Sequence, residues 1–261
     1  MSLPSFTATT AALARRTWIK TFRRPVVLTF SFVQPLMWML FFGFLFQRFR
    51  PEGFGADTRY IDFLAPGVSL MTVLFGASQS GIGWIRDLQT GFLPRMLGTP
   101  ASRAALLFGK IAADVARLVA QAFAVLLVGV LVGARLAPSL VPVLCGTVAV
   151  ALFATAFSCL SCAIALRARA QETMATFVHL VNMPLLFTST ILVPDRQMPE
   201  WLAGISRLNP LTLAADAWRG ALLSGTMPSI PVTLIPLALL SVVLFALALW
   251  SMNRISIERA G

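Results

Sequence analysis

LVPVLCGTVAVALFATAFSCLSCAIAL, residues 140–166, carries no charged side chain from Leu140 to Leu166. A bilayer's hydrocarbon core of ~30 Å needs about 20 apolar residues in a helix to cross it, and this stretch exceeds that length. Its cysteines, Cys145, Cys159 and Cys162, are the only three in the chain. Cys159 and Cys162 stand as C-x-x-C, but no second such pair follows and the single histidine is His179. They read as small apolar packing residues rather than a redox or zinc pair.

Outward from this stretch, five further apolar runs have the length of a span: about 174–193 after it, 104–133 and 63–85 before it, and 26–46 and 230–252 toward the two ends. The run at 26–46 follows a basic segment and lacks a small-residue cleavage site, so it reads as an anchor and not a removed leader. The run at 63–85 is diluted by Ser69, Thr72, Ser78, Gln79 and Ser80. Small and hydroxyl residues in a spanning helix face other helices, where they permit close approach. The expectation is an all-α integral membrane protein of six spans in one transmembrane domain, residues 1–261.

Composition agrees. Of 261 residues 57% are hydrophobic and 12% charged, against roughly 45–50% and about 25% in soluble domains. That excludes intrinsic disorder and leaves too little polar surface to coat a water-soluble enzyme. Twenty-one basic residues face ten acidic ones. The apolar runs turn this excess away from nucleic acid and toward membrane topology. With six spans, thirteen basic residues fall on the side of both termini and seven in the opposite loops. The positive-inside rule then puts both termini in the cytoplasm of a multi-pass protein of the cell (cytoplasmic or inner) membrane.

The segments between spans carry pattern. Residues 5–24 predict an interface helix, with Trp18, Ile19 and Phe22 on one arc and Arg16, Lys20, Arg23 and Arg24 on the other, suited to membrane lipid headgroups. Between the second and third spans, Asp87, Gly91, Phe92, Leu93, Arg95, Met96, Leu97, Thr99, Pro100 and Arg103 lie in a loop too polar to span. Phe92, Leu93, Met96 and Leu97 form an apolar knob there that wants a partner surface. Thr99 before Pro100 predicts the cap of the third helix. Lys110, Asp114, Arg117 and Gln121 recur at helical spacing as a polar stripe, read first as charges that satisfy one another along the helix.

Pro194 to Ser229 is too long for a turn. Met198-Pro199-Glu200-Trp201-Leu202 and Asn209-Pro210-Leu211-Thr212 predict two short amphipathic helices at the outer interface. The second presents Leu211, Ala215, Trp218 and Leu222 on an apolar face and Thr212, Asp216 and Arg219 on a polar one. His179 and Asn182 interrupt the fifth span, where His179 reads as a hydrogen-bonded interior residue and not a metal ligand. No catalytic constellation or metal site is expected. The only Gly-Lys, Gly109-Lys110, lacks the glycine and hydroxyl of a phosphate-cradling loop. A stand-alone ion-coupled carrier or channel is the competing reading, but it wants buried carboxylates at mid-membrane, and Asp114 is the only acid within a span.

Four fragments together resemble the membrane subunit of type-2 ABC exporters, in the daunorubicin-resistance and nodulation-protein-like branch. They are Tyr60-Ile61-Asp62-Phe63-Leu64-Ala65-Pro66-Gly67; Gly91-Phe92 with Arg95-Met96-Leu97 and Thr99-Pro100-x-Ser102-Arg103; Leu192-Val193-Pro194 with Met198-Pro199-x-Trp201-Leu202; and Asn209-Pro210-Leu211-Thr212 with Asp216 and Arg219-Gly220. Where many relatives carry a more acidic stretch before the glycine, Asp87 stands alone. The resemblance implies a permease that pairs with a second permease copy or homologue and with two separate ABC ATPase subunits, which bind the ATP and Mg. Residues 86–103 then sit where a coupling helix meets the ATPase. The path between the two permeases is implied to be lined by the second and fifth spans, nominating Ser69, Thr72, Ser78, Gln79, His179 and Asn182. Drugs, lipid-linked precursors and glycans are the implied cargo.

Overall fold

A computed structural model describes residues 25–49, 51, 58–99 and 102–257. The predicted interface helix, with Arg16, Trp18, Lys20, Phe22 and Arg23, lies outside the described residues, as does Pro100.

Among the described residues all regular structure is helical. In chain order the helices are α1 (Pro25–Leu45), α2 (Tyr60–Gln89), α3 (Phe92–Leu97), α4 (Arg103–Leu131), α5 (Leu140–Ala168), α6 (Gln171–Phe187), α7 (Glu200–Leu208), α8 (Pro210–Arg219) and α9 (Ile235–Ile257). A π-helical turn, Gly220–Ser224, extends α8, and another, Ile230–Leu234, leads into α9. Among the described residues four helices are long and apolar enough to cross a membrane: α2, α4, α5 and Ile230–Arg254. The described apolar part of α1, Val33–Leu45, is shorter.

The predicted fifth span is shorter than its apolar run. α6 holds 17 residues and stops at Phe187, and Thr188 to Val193 leave the helix. The side chain of Asn209 donates to the Leu185 carbonyl (2.7 Å) and to Thr188 Oγ1 (3.0 Å). The Thr190 N–H donates to Thr212 Oγ1 (3.2 Å), and Ile191 O accepts from Arg219 (2.8 Å). Partners from α8 and its cap thus take up backbone groups that a continuing helix would have paired.

α2 is the axis of the bundle. It packs on α1, α4, α5, α6 and α8 and is buried along most of its length, whereas α9 faces outward along most of its own. Gly81 sets one of these crossings: a Cβ there would stand 2.8 Å from the backbone carbonyl Ser161 O of α5. The small residues of the second apolar run therefore buy backbone approach. Residues 86–103 and 167–171 mark one end of the bundle, called the near end below, and residues 188–229 the far end.

Candidate functional site: the two ends of the bundle

At the near end Gly91 caps α3 with φ 70°, a left-handed conformation that glycine adopts without penalty. Arg95 closes the turn, donating through Nε to Gly91 O (3.1 Å) and through Nη2 to Thr90 O (3.1 Å). The four residues of the apolar knob divide. Leu93 is 4% exposed and packs with Trp84, Ile85, Leu107, Ile111, Leu166 and Met174, while Phe92, Met96 and Leu97 are half-buried. Leu93 is therefore an anchor of α3 on its own chain. Arg95, Gly98 and Thr99 form the exposed edge.

The cap of α4 also differs from the expectation. It is Ser102, whose Oγ accepts from Ala105 N (3.2 Å), and not Thr99. Thr99 instead donates to Met96 O (2.6 Å), finishing α3. The hydroxyl nearer α3 is taken by a carbonyl in that helix's last turn, which also accepts from Thr99 N. Arg103 donates to Asn253 Oδ1 of α9 (2.9 Å), and Gln171 of α6 to Gln89 Oε1 of α2 (3.5 Å).

The polar stripe takes partners from the neighbouring helix, which corrects the reading of charges satisfied along α4. Lys110 Nζ lies 2.7 Å from Asp87 Oδ2 and 3.9 Å from the centroid of the Trp84 ring. Asp114 accepts from Ser80 of α2. Arg117 to Gln121 (3.3 Å) stays within the helix.

The six residues proposed to line a path do not share one surface. Ser69, Thr72, Ser78 and Asn182 are buried inside the bundle, and Gln79 and His179 are exposed. Ser78 donates to Asn182 Oδ1 (2.8 Å), joining α2 to α6. Ser69 accepts from Trp218 Nε1 (3.0 Å), and Thr72 donates to Val68 O (3.0 Å). The interior placement expected for His179 is corrected: helical phase gives the inner face of α6 to Met174, Val178, Asn182 and Leu186.

At the far end Asn209 caps α8, accepting from Leu211 N (2.8 Å), with Pro210 as the first helical residue. Trp201 is exposed on α7. The polar face of α8 splits. Asp216 is exposed, but Arg219 is 0% exposed. Its Nε donates to Phe63 O (3.1 Å), Nη2 to Ile191 O (2.8 Å), and Nη1 to Thr190 Oγ1 (3.2 Å) and Asp216 Oδ1 (3.4 Å). The guanidinium lies over the Phe63 ring, 3.8 Å from its centroid. Burial pulls its pKa down to about 10 against the opposing charges of Asp216 and Tyr60, so it stays charged at neutral pH. One side chain thus ties the start of α2, the turn after α6 and the end of α8. Nearby, Tyr60 donates to Leu192 O (2.9 Å), and Asp62 Oδ1 accepts from Arg135 N (2.7 Å). Sequence reasoning missed this clamp; its one signal was an arginine four residues after Ala215, at the edge of an otherwise apolar arc.

Residues 9–223 match the model of the ABC-2 type transporter family. The chain belongs to that family. The permease is 34% identical over 210 residues to the transport permease ycf38 of Cyanophora paradoxa, covering 79% of this chain and 71% of the relative. It is 30% identical over 204 residues to the daunorubicin resistance ABC transporter permease protein DrrB1 of Streptomyces coeruleorubidus, covering 77% and 70%. A doxorubicin resistance ABC transporter permease protein, DrrC of Mycobacterium tuberculosis, is 28% identical over 166 residues, covering 64% and 60%. The permease is an all-helical membrane protein, and no cluster of three or more potential metal ligands occurs among its described residues.

Proposed function

We propose that this permease is the membrane subunit of an ATP-driven exporter, working as a pair with a second copy or homologue and with two separate ATPase subunits that carry ATP and Mg. The observation that carries the reading is the match over residues 9–223 together with relatives named for drug resistance. The near end supports it. α3 presents a short helix anchored by Leu93 with an exposed edge at Arg95, Gly98 and Thr99, suited to docking on a moving partner. With α1 and α6 counted beside the four long helices, the chain crosses six times and both termini face the cytoplasm, the side of the greater basic charge.

Within this reading Gln79 and His179, on exposed faces of α2 and α6, border the path between two permeases. Ser69, Thr72, Ser78 and Asn182 hold the wall behind them. The cargo is amphipathic: a drug, a lipid or a glycan precursor. Affinity capture of the tagged permease from its native membrane tests the core of the proposal. Recovery of a nucleotide-binding ATPase in stoichiometric amount is expected. A chain recovered without one, in detergents that keep such complexes intact, overturns the exporter reading.

A further inference from the structure

The strongest unassigned feature is the contact between α2 and α4 where the polypeptide leaves the bundle for α3 and returns. Asp87 lies near the end of α2 and Lys110 two turns into α4, and their side chains are 7% and 13% exposed. Lys110 also lies against the face of Trp84, which is 1% exposed. A largely desolvated ammonium held by a carboxylate and an aromatic face resists displacement.

This pair is the first rung of a ladder. Deeper in the bundle Ser80 of α2 donates to Asp114 of α4. Beyond it Gly76 meets Leu118, with Arg117 Nη1 3.9 Å from the Cβ position. α2 in turn holds α6 through Ser78 and Asn182, and α8 through Ser69 and Trp218. Leu93 fixes α3 to the same body.

We infer that the Asp87–Lys110 pair is a positioning strut: it makes α2 and α4 move as one body when the exposed edge of α3 is displaced. The inference rests on the exporter reading, since it needs a partner that displaces α3. Without the strut a push on α3 pries the two helices apart at their near end and is spent there. With it the motion passes along α2 to the far end.

The test uses the permease captured with its ATPase, reconstituted in liposomes, with Cys145, Cys159 and Cys162 replaced by alanine and a nitroxide at Ser139→Cys. The readout is the change in nitroxide mobility on adding Mg-ATP and vanadate, normalised to the amount of trapped nucleotide. In Asp87→Asn and Lys110→Met the normalised change should fall about tenfold, within the usual range for a lost coupling between sites. Asp87→Glu and Lys110→Arg, which keep the charges, should retain it. The double variant Asp87→Asn/Lys110→Met should be no worse than either single one, since the two side chains act as one contact. A full far-end response in both single variants overturns the strut, and so does a double variant that is additively worse. If charge-retaining and charge-removing variants fail alike, the role is general folding and the strut is overturned. A wild-type complex with no response to ATP overturns the exporter reading itself, and is seen before any variant is made.

Discussion

Replacing Arg219 by methionine keeps the length and apolar stem of the side chain and deletes the guanidinium. Two of its hydrogen bonds go to backbone carbonyls of fully buried residues, Phe63 and Ile191. Hydrogen bonds from a charged donor contribute about 1.5–3 kcal/mol each, so these two set a loss of roughly 3 kcal/mol or more. Relief of the buried charge offsets part of this, but Ile191 O lies outside any helix among the described residues, so no helical N–H stands ready to replace the arginine. Asp216 behaves differently. Its side chain is 52% exposed, so water screens the pair, but Asp216→Ala leaves the buried guanidinium with neutral acceptors alone and should cost roughly 1–3 kcal/mol, still less than Arg219→Met. At about 2–4 °C per kcal/mol for a chain of this size, Arg219→Met should lower the Tm by at least about 6 °C. The assay is fluorescence-detected size exclusion of detergent-solubilised protein after heating. Arg219→Lys should fall between, because an ammonium cannot reach both carbonyls with a fork. A Tm for Arg219→Met within a degree or so of wild type, or a larger loss in Asp216→Ala than in Arg219→Met, would refute the argument that the carbonyls carry the clamp.

Leu93→Ala should destabilise the permease by about 2 kcal/mol or more, because it opens a cavity in the buried cluster that holds Trp84 and Leu107, whereas Phe92→Ala, at a half-buried position, should lower the melting temperature less and weaken ATPase capture. Gly91→Val should destabilise α3 by about 1–2 kcal/mol, since valine resists φ 70°, and urea-gradient or thermal melts would detect it. A cysteine at Ala170, in a background without native cysteines, should react with an impermeant maleimide only from the cytoplasmic side, and one at Ser139 only from outside; reversed labelling sinks the orientation. The purified permease alone should hydrolyse no ATP, and turnover that survives removal of contaminating ATPases would contradict its assignment as a transport subunit.

Local signals were readable before any fold was known. Asn209-Pro210 caps α8 and Gly91 sits in a left-handed turn because each depends on residues a few positions away. The all-helical membrane class was readable for a similar reason, since apolar run length needs no tertiary information. What escaped depends on neighbours distant in the chain. Arg219 binds residues 28 and 156 positions away, so its place on a helical wheel says surface while its partners say core. His179 and Asn182 looked equivalent until packing on Ser78 set the phase of α6. Thr99 before Pro100 fits a cap by its immediate neighbours, and the end of α3 that takes its hydroxyl leaves the cap to Ser102.

The Arg219 clamp also bears on the order in which the chain is built. Its acceptors come from α2 and from the turn after α6, both synthesised before the arginine itself. The guanidinium can shed its water only when those two carbonyls already stand together, so α8 cannot settle before α2 and α6 have paired. Until then the segment stays hydrated outside the membrane. Docking of α8 therefore waits on the pairing of α2 with α6, and a nascent permease stalled before it keeps a charged arginine unburied at the far end.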